Sequence, residues 1–167
     1  MRNKQQGSRN AIGKALTNII WAPLEKGLKS VTLSANWMWP CKNPGEDARL
    51  YKAVEACSSF AIDLGINIPT GKDSLSMKQK YKDKEVVSPG TVIISAAANC
   101  DNINKIIEPG FINNNDPIYY IDLSNNSKEL GGSALAQTLS KVGSKTIDVI
   151  DPNYFKKTFD VLQNLIS

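Results

Sequence analysis

Apolar residues recur at helical spacing in three stretches of this chain. In the first stretch they fall at positions 11, 12, 15, 16, 19 and 20, and the other two stretches are 46–64 and the residues after Asp151-Pro152. Side chains three or four residues apart share one face of an α-helix, so the pattern predicts three helices with one buried face each. The apolar positions in the second and third stretches are Leu50, Ala53, Val54, Cys57, Phe60, Ala61, Leu64, Phe155, Phe159, Leu162 and Ile166.

The ends of these helices carry capping residues. Ser8 or Asn10 is predicted to cap the first helix, and Asp151 the last. Two acids at the start of the second helix suit its positive end, and Gly65 suits its C-terminal cap.

Shorter apolar runs predict strands. Residues 30–37 alternate between apolar and polar side chains, as in a half-buried strand. Residues 91–98 form a run without alternation from Val92, which predicts a strand buried on both faces. Val86-Val87 and residues 118–123 predict further strand segments, and the polar residues 78–83 predict a flexible connection. Strands interleaved with helices indicate an α/β or α+β fold class.

Glycine, proline and asparagine mark divisions in the second half of the chain. Residues 102–117 are rich in these types and predict a domain boundary near 108–116. Gly131-Gly132-Ser133 predicts the start of a helix that ends at Gly143. Backbone amides at such a start are a candidate phosphate site.

Composition narrows the function classes. The chain has 167 residues and a net charge of +4, with 41% hydrophobic and 22% charged residues. These values are typical of a globular protein. No apolar run reaches the roughly 20 residues that a membrane helix needs, and basic residues are not interleaved with aromatic ones, as nucleic-acid binding would require.

The cysteine and histidine content narrows the function classes further. Cys41, Cys57 and Cys100 are odd in number and have no metal-ligand spacing, which predicts a reducing cytoplasm with Cys57 in the core. The chain contains no histidine, so it cannot form a Ser-His or Cys-His dyad.

The densest group of polar functional residues follows the short apolar run at Ile66 to Ile68. Pro69 and Gly71 predict a turn there that presents Lys72, Asp73, Ser74 and Ser76 together. A lysine beside hydroxyls suits a phosphate, and an aspartate suits Mg²⁺ or a substrate hydroxyl. A polar turn with nothing bound fits the pattern equally well.

A Walker-type phosphate loop is excluded by residue count. That motif has four residues between its glycines and a Ser or Thr after the lysine. Here five residues separate Gly65 from Gly71, and Asp73 follows Lys72. Upstream, Trp37 and Trp39 lie near a strand end, where they either pack over the edge of the core or stack on a base.

Three ordered motifs resemble one known family. The runs Leu33 to Met38, Pro44 to Tyr51 and Pro69 to Met77 are similar to phosphoribosylformylglycinamidine synthases, the large amidotransferases of purine biosynthesis. The likeness extends from about Ala11 to the C-terminus. It implies an internal piece of the synthetase region of a much longer enzyme.

This resemblance implies a fold and an activity. The fold is similar to aminoimidazole ribonucleotide synthetase, with most of the N-terminal subdomain in residues 1–107 and the beginning of the C-terminal subdomain in residues 108–167. The parent enzyme would be an ATP-dependent carbon–nitrogen ligase that activates the amide of formylglycinamide ribonucleotide. A separate glutaminase domain would supply the ammonia, and the cofactors would be ATP and Mg²⁺. Gly71, Lys72, Asp73, Ser74 and Ser76 become candidate substrate or nucleotide contacts.

The first helix carries the one clear departure from the family pattern. Relatives have a glutamate and an asparagine there, both ligands of nucleotide-bound magnesium. Asn18 matches the asparagine, whereas Lys14 stands in the position of the glutamate. An ammonium cannot ligate a metal ion, so either Lys14 contacts phosphate directly or the metal site is degraded.

Two other hypotheses stay open. The chain could belong to a related ATP-dependent enzyme, such as aminoimidazole ribonucleotide synthetase itself, or it could be a non-catalytic scaffold or nucleotide-binding subdomain. The resemblance does not decide between a catalytic and a structural nucleotide site. In every case we expect the isolated 167-residue chain to lack synthetase activity, and we expect it to self-associate through uncovered apolar faces.

Overall fold

The computed structural model describes residues 4–113, 115–124 and 126–167, and it has a mixed α/β architecture as predicted. The α-helices in these ranges are α1 (Lys4–Ile19), α2 (Glu46–Leu64), α3 (Ala134–Thr138) and α4 (Pro152–Ile166). The strands in the same ranges are β1 (Thr32–Met38), β2 (Asn67–Ser74), β3 (Lys78–Lys80), β4 (Glu85–Val87) and β5 (Thr91–Ala97). Short 3₁₀ helices span Gly27–Ser30 and Ile103–Lys105.

One face of helix α1 lies in the centre of the core. Ile12 and Leu16 have no exposed surface, and α1 packs against α2, β5 and their neighbours. The predicted apolar stripe is therefore confirmed, but the helix begins seven residues before Ala11. Ser8 and Asn10 lie inside the helix, so the prediction that one of them caps it is wrong.

Helix α2 has the predicted bounds, from two acids to the left-handed Gly65. Its stripe faces the core except at Val54, which is 40% exposed. Cys57 is buried as predicted, and burial raises the pKa of its thiol to about 11. All three cysteines are free.

The main sheet has the order β2-β1-β5, with β1 parallel to β2 and antiparallel to β5. The predicted turn at Pro69 is wrong, because β2 continues through Pro69 and Gly71 to Ser74. Proline is tolerated there because β2 is an edge strand of the described sheet, and the register to β1 shifts just at this point. Gly71 lies so close to β1 that a Cβ atom would stand 2.2 Å from the carbonyl oxygen of Ala35.

Strand β5 is the opposite edge of the described sheet. Its residues alternate between exposed and half-buried, and Ile93 is 51% exposed, so the prediction of burial on both faces is wrong for the described chain. Ile94 and Ala96 pack on the core, while the described residues leave the other face of β5 uncovered. A run of small and branched residues hid this alternation in the sequence.

The polar stretch after β2 is ordered. Strands β3 and β4 pair as an antiparallel hairpin, with an ion pair of 3.1 Å between Lys78 and Glu85, so the prediction of a flexible connection is wrong. Trp39 is buried beside Gly90 and Trp37 packs against the core, which confirms the packing role of the two tryptophans.

Residues 118–123 do not form a strand, contrary to the prediction. Within the part of the chain that the structure describes, they find no partner strand, and a strand needs a ladder to be stable. The helix after Ser133 is also shorter than predicted, because it ends at Thr138 and Ser140 adopts a positive φ of 53°.

The segment before α4 packs against the middle of α1. The Arg9 guanidinium donates to Asp148 at 2.8 Å, and the Asn10 side chain donates to the carbonyl of Ile147 at 2.7 Å. Gly13 leaves room for Val149, whose methyl group would lie 3.2 Å from an added Cβ atom. The predicted cap of α4 is confirmed, because the Asp151 side chain accepts from the amide of Tyr154.

Helix α4 completes this contact through Phe155, Phe159 and Gln163, which are all buried. The carboxamide of Gln163 donates to the carbonyls of Ile20 and Ala22 at 2.7 and 3.0 Å and accepts from the amide of Leu24 at 2.8 Å. Residues on both sides of position 108 thus share one core. The division into subdomains 1–107 and 108–167 stays a prediction.

Replacing Gln163 with leucine is expected to destabilise the fold by at least about 2 kcal/mol. The change keeps a buried side chain of similar length but leaves two carbonyls and one amide without their partner, and each such group costs about 1–3 kcal/mol. Urea unfolding followed by circular dichroism measures the change. Asn164→Leu, at the next and exposed position of α4, is the control and should change stability by less than about 0.5 kcal/mol. Equal stabilities for the two variants would contradict this role of Gln163.

Replacing Gly71 with alanine is expected to cost about 1–3 kcal/mol, because the new Cβ atom must push β2 away from the Ala35 carbonyl. The same unfolding experiment checks it. Gly7→Ala is the matched control, since Gly7 is an exposed residue of α1 with nothing within 4 Å of the added atom. That variant should gain about 0.5–1 kcal/mol from helix propensity. A neutral Gly71→Ala variant would refute the close approach of the two strands.

Candidate functional site

The alternation of β2 divides the predicted site residues between two sides of the strand. Lys72 and Ser74 pair with Asn36 and Met38 of β1, whereas Gly71 and Asp73 pair with Ala35 and Trp37. Paired residues in neighbouring strands point to the same side of a sheet. Ala35 is buried under the helices and Trp37 packs against the core. Lys72 and Ser74 therefore belong to the face of the sheet that the helices do not cover.

Lys72 and Ser74 are brought together on this open face. The Lys72 ammonium donates to the Ser74 hydroxyl at 2.8 Å, and the Lys72 side chain is exposed. The backbone of Ser74 is held in place because its carbonyl accepts from the amide of Trp39 at 2.8 Å. The result is a positioned cation with two further donors of its ammonium free for a ligand.

Asp73 lies apart from this pair and close to the start of α2. Desolvation raises the pKa of the Cys41 thiol, and the negative charges of Asp47, Glu46 and Asp73 raise it further. Asp73 thus contributes to an acidic field around Cys41, on the other side of β2 from Lys72. Ser76 lies beyond the end of β2, where it forms an isolated bridge with Pro40. The structure does not assemble all five predicted residues into one cluster.

Asn36 is a site residue that the sequence reasoning did not single out. It pairs with Lys72 in the sheet, and its side-chain oxygen is buried without a hydrogen-bond partner among the described residues. The alternation of β1 was the available signal, because it places Ser34 and Asn36 opposite the buried Leu33 and Ala35. The open face around Lys72 also carries hydroxyls, namely those of Ser34, Thr70, Ser74, Thr91 and Ser95.

This face offers a positive charge and hydroxyl groups to an anion. One ammonium and several hydroxyls lie on it, and no carboxylate occupies a position on the open face of β1, β2 or β5 as the structure describes them. A phosphate or a polyhydroxylated ring would find donors there.

Lys14 and Asn18 lie elsewhere. Both are exposed on α1, on the side opposite the buried Ile12 and Leu16, whereas Lys72 lies on the sheet face that the helices do not cover. The described residues do not bring the two candidate sites into contact.

Other candidates from the sequence have structural explanations. The Asp47 side chain accepts from the amide of Ala48, and Arg49 forms an ion pair with Glu46, so both residues serve the start of α2. Gly131 lies against the carbonyl of Lys145, where an added Cβ atom would stand 2.0 Å away. Because α3 has only five residues, the glycine pair before it is not a phosphate site.

An apolar pocket of about 200 Å³ opens between the end of α1 and α4, and no residue of β2 is among its described lining residues. None of the described residues that line it is charged: they are Thr17, Ile20, Trp21, Tyr119, Tyr120, Ile121, Leu123, Phe155, Thr158, Phe159 and Leu162. The pocket is therefore separate from the candidate site on the sheet.

Comparison with known proteins supplies the family. Residues 1–99 match the family model of the FGAR-AT PurM_N-like domain, a range that includes α1, β1, α2 and β2. A probable phosphoribosylformylglycinamidine synthase, chloroplastic/mitochondrial, of Arabidopsis thaliana is 40% identical over 162 residues, which are 96% of this chain and 11% of that protein. A probable phosphoribosylformylglycinamidine synthase of Caenorhabditis elegans is 38% identical over 166 residues, which are 98% of this chain and 12% of that protein.

The chain thus spans about a ninth of the length of these relatives. The family model covers all of its described strands and helices α1 and α2. The resemblance that the motifs at 33–38, 44–51 and 69–77 indicated is confirmed. The chain belongs to the FGAR-AT PurM_N-like domain family.

Proposed function

We propose that this chain is part of the synthetase region of a phosphoribosylformylglycinamidine synthase. The observation that carries the proposal is the family match over residues 1–99 together with the Lys72–Ser74 pair that this range presents on an open sheet face. In this proposal the parent enzyme uses ATP to activate the amide oxygen of formylglycinamide ribonucleotide. The γ-phosphoryl group moves to that oxygen with release of ADP, and ammonia released from glutamine then attacks the carbon and expels the oxygen as inorganic phosphate.

Each site residue has a defined part in the proposal. Lys72 binds a phosphate group of the nucleotide or of the ribonucleotide substrate, and the Ser74 hydroxyl orients the ammonium. Gly71 keeps β2 close to β1 and thereby fixes where Lys72 emerges. Asp73, on the other side of the strand, contacts a different group of the ligands, and Ser76 lies at the margin of the site.

The rest of the enzyme lies in other segments. Ammonia production from glutamine needs a nucleophile and a base such as a Cys-His pair, and this chain has no histidine. We therefore assign the glutaminase to another domain of the parent protein. Residues 1–107 would be an N-terminal subdomain of the aminoimidazole-ribonucleotide-synthetase type, and 108–167 the beginning of its partner subdomain. The isolated chain would be inactive.

A non-catalytic nucleotide-binding role is the second candidate. It is favoured by Lys14, which stands on α1 where the family resemblance implies a glutamate ligand of magnesium. In that case the anion site on the sheet would bind a nucleotide that stabilises the fold without reacting.

The cellular location remains a proposal as well. In the described residues no helix combines the length and the apolar character needed to cross a membrane. The free thiols fit a reducing compartment, for which we propose the cytoplasm. The name of the Arabidopsis relative assigns that protein to chloroplasts and mitochondria.

Replacing Lys72 with alanine in the full-length enzyme is expected to lower kcat/KM about 10²–10³-fold, because a positioned charge that acts on the reacting phosphates is lost. Asp73→Asn should also lower turnover. Steady-state release of ADP with formylglycinamide ribonucleotide and ammonia as substrates measures both. Folding stability should change by less than about 0.5 kcal/mol in either variant, since both side chains are exposed.

The matched control is Lys82→Ala, which removes an exposed lysine from the β3–β4 turn. It should leave turnover unchanged. If both Lys72→Ala and Asp73→Asn turn over as fast as the control, the β2 motif has only a structural role. That result would contradict the proposed catalytic role of the site.

A further inference from the structure

One face of α1 presents a lysine without a counter-charge. Lys14 and Asn18 are exposed and lie one helical turn apart, so their Cβ atoms are about 5–6 Å from each other. Among the residues that the structure describes, Lys14 forms no ion pair and the Asn18 carboxamide forms no hydrogen bond. Both groups are therefore available to a ligand.

The residues at this position do not fit the magnesium ion that the family resemblance implies there. Mg²⁺ is held by oxygen ligands, above all by carboxylates. Here the helix offers one ammonium and one carboxamide, and the described residues include no group of three or more His, Cys, Asp or Glu side chains that could complete a site. The ammonium would also repel a divalent cation at such a short separation.

We propose that Lys14 takes the place of the metal ion and binds nucleotide phosphate directly, with Asn18 as a second contact. This inference rests on the proposed function, which puts a nucleotide in the synthetase region. An ammonium offers three donors and a full positive charge, so it can neutralise a phosphate as a bound cation would. The Lys14 ammonium and a magnesium ion repel each other at this position. Nucleotide binding at α1 should therefore not require magnesium.

The position of Lys14 supports this role. Ile12 and Leu16 are fully buried on the opposite side of α1, so the helix cannot rotate to withdraw the lysine. Within the part of α1 whose burial the structure describes, the exposed residues of this face are Gly7, Lys14 and Asn18, and none of them is acidic. The described face of α1 therefore supplies no carboxylate of its own to neutralise Lys14.

The test compares three versions of the full-length protein: wild type, Lys14→Glu and Lys29→Glu. Lys29 is an exposed lysine of the 3₁₀ helix at Gly27–Ser30, so its variant makes the same charge change away from α1. Electron paramagnetic resonance of Mn²⁺ at saturating ATP counts the bound metal ions. Lys14→Glu should bind one more Mn²⁺ per chain than either the wild type or Lys29→Glu.

A second measurement uses ATP in the presence of a chelator. Wild-type protein should keep one ATP bound per chain without any divalent ion. Lys14→Gln should bind that ATP about 10–100-fold more weakly, which corresponds to the loss of one charged hydrogen bond.

The outcomes separate the inference from the proposed function. Equal Mn²⁺ counts in wild type and Lys14→Glu, or ATP that binds wild type only with Mg²⁺, would overturn the role of Lys14 and leave the proposed function standing. Wild-type protein that binds no ATP with or without Mg²⁺ would overturn the proposed function, and the inference with it.

Discussion

The burial of one face of α1 is the constraint on which the rest of the structure depends. Ile12 and Leu16 are completely inaccessible, and each contributes about 1.5–3 kcal/mol to the stability of the fold. Three parts of the chain meet on this face: α2, the sheet, and the segment from Ile147 to α4. The last of these comes from far along the chain. Gln163 holds it in place through three hydrogen bonds to the backbone that follows α1. Because the inner face of α1 is fixed in this way, the direction of its outer face is fixed too.

The site on the sheet follows from the same packing. The helices cover the side of β1 that carries Leu33 and Ala35, and this leaves the side with Asn36 open. Strand β2 approaches β1 closely at Gly71, and its register then delivers Lys72 and Ser74 to the open side. The donors of Lys72 and Ser74 are exposed because alternate residues of β2 point to the open side, next to the glycine that brings the two strands together. An anionic ligand is their natural partner, and the family to which the chain belongs supplies the candidates.

The sequence predicted the elements with strong periodicity correctly. The predictions failed where contacts between distant segments determine the local structure. Helix α2 was predicted to the residue, because its stripe, its first acids and Gly65 all agree. The start of α1 was missed, because residues 4–10 are polar and the partners of Arg9 and Asn10 lie almost 140 positions away. Pro69 and Gly71 are typical of turns, but an edge strand accepts the proline and a close approach requires the glycine. Residues 118–123 have the composition of a strand, and composition does not supply a partner strand.

The candidate site was predictable in its residue types and not in its arrangement. Lys72, Asp73, Ser74 and Ser76 were identified from the motif, but their division between two sides of β2 depends on pairing with β1. That pairing includes a shift of register between Asn67 and Thr70, which no local pattern indicates. Asn36 was missed for the same reason, because its relation to Lys72 exists only in the sheet.

Binding of a phosphorylated ligand to the open sheet face around Lys72 connects the fold to the proposed function. The most direct measurement is the rate of acetylation of individual lysines by a water-soluble reagent, read by mass spectrometry on the full-length protein with and without ATP and formylglycinamide ribonucleotide. The account predicts that the ligands slow acetylation of Lys72 about tenfold or more, because a lysine held by phosphate is a poor nucleophile, and leave exposed Lys82 unchanged. An unchanged rate at Lys72 under saturating ligand would contradict it.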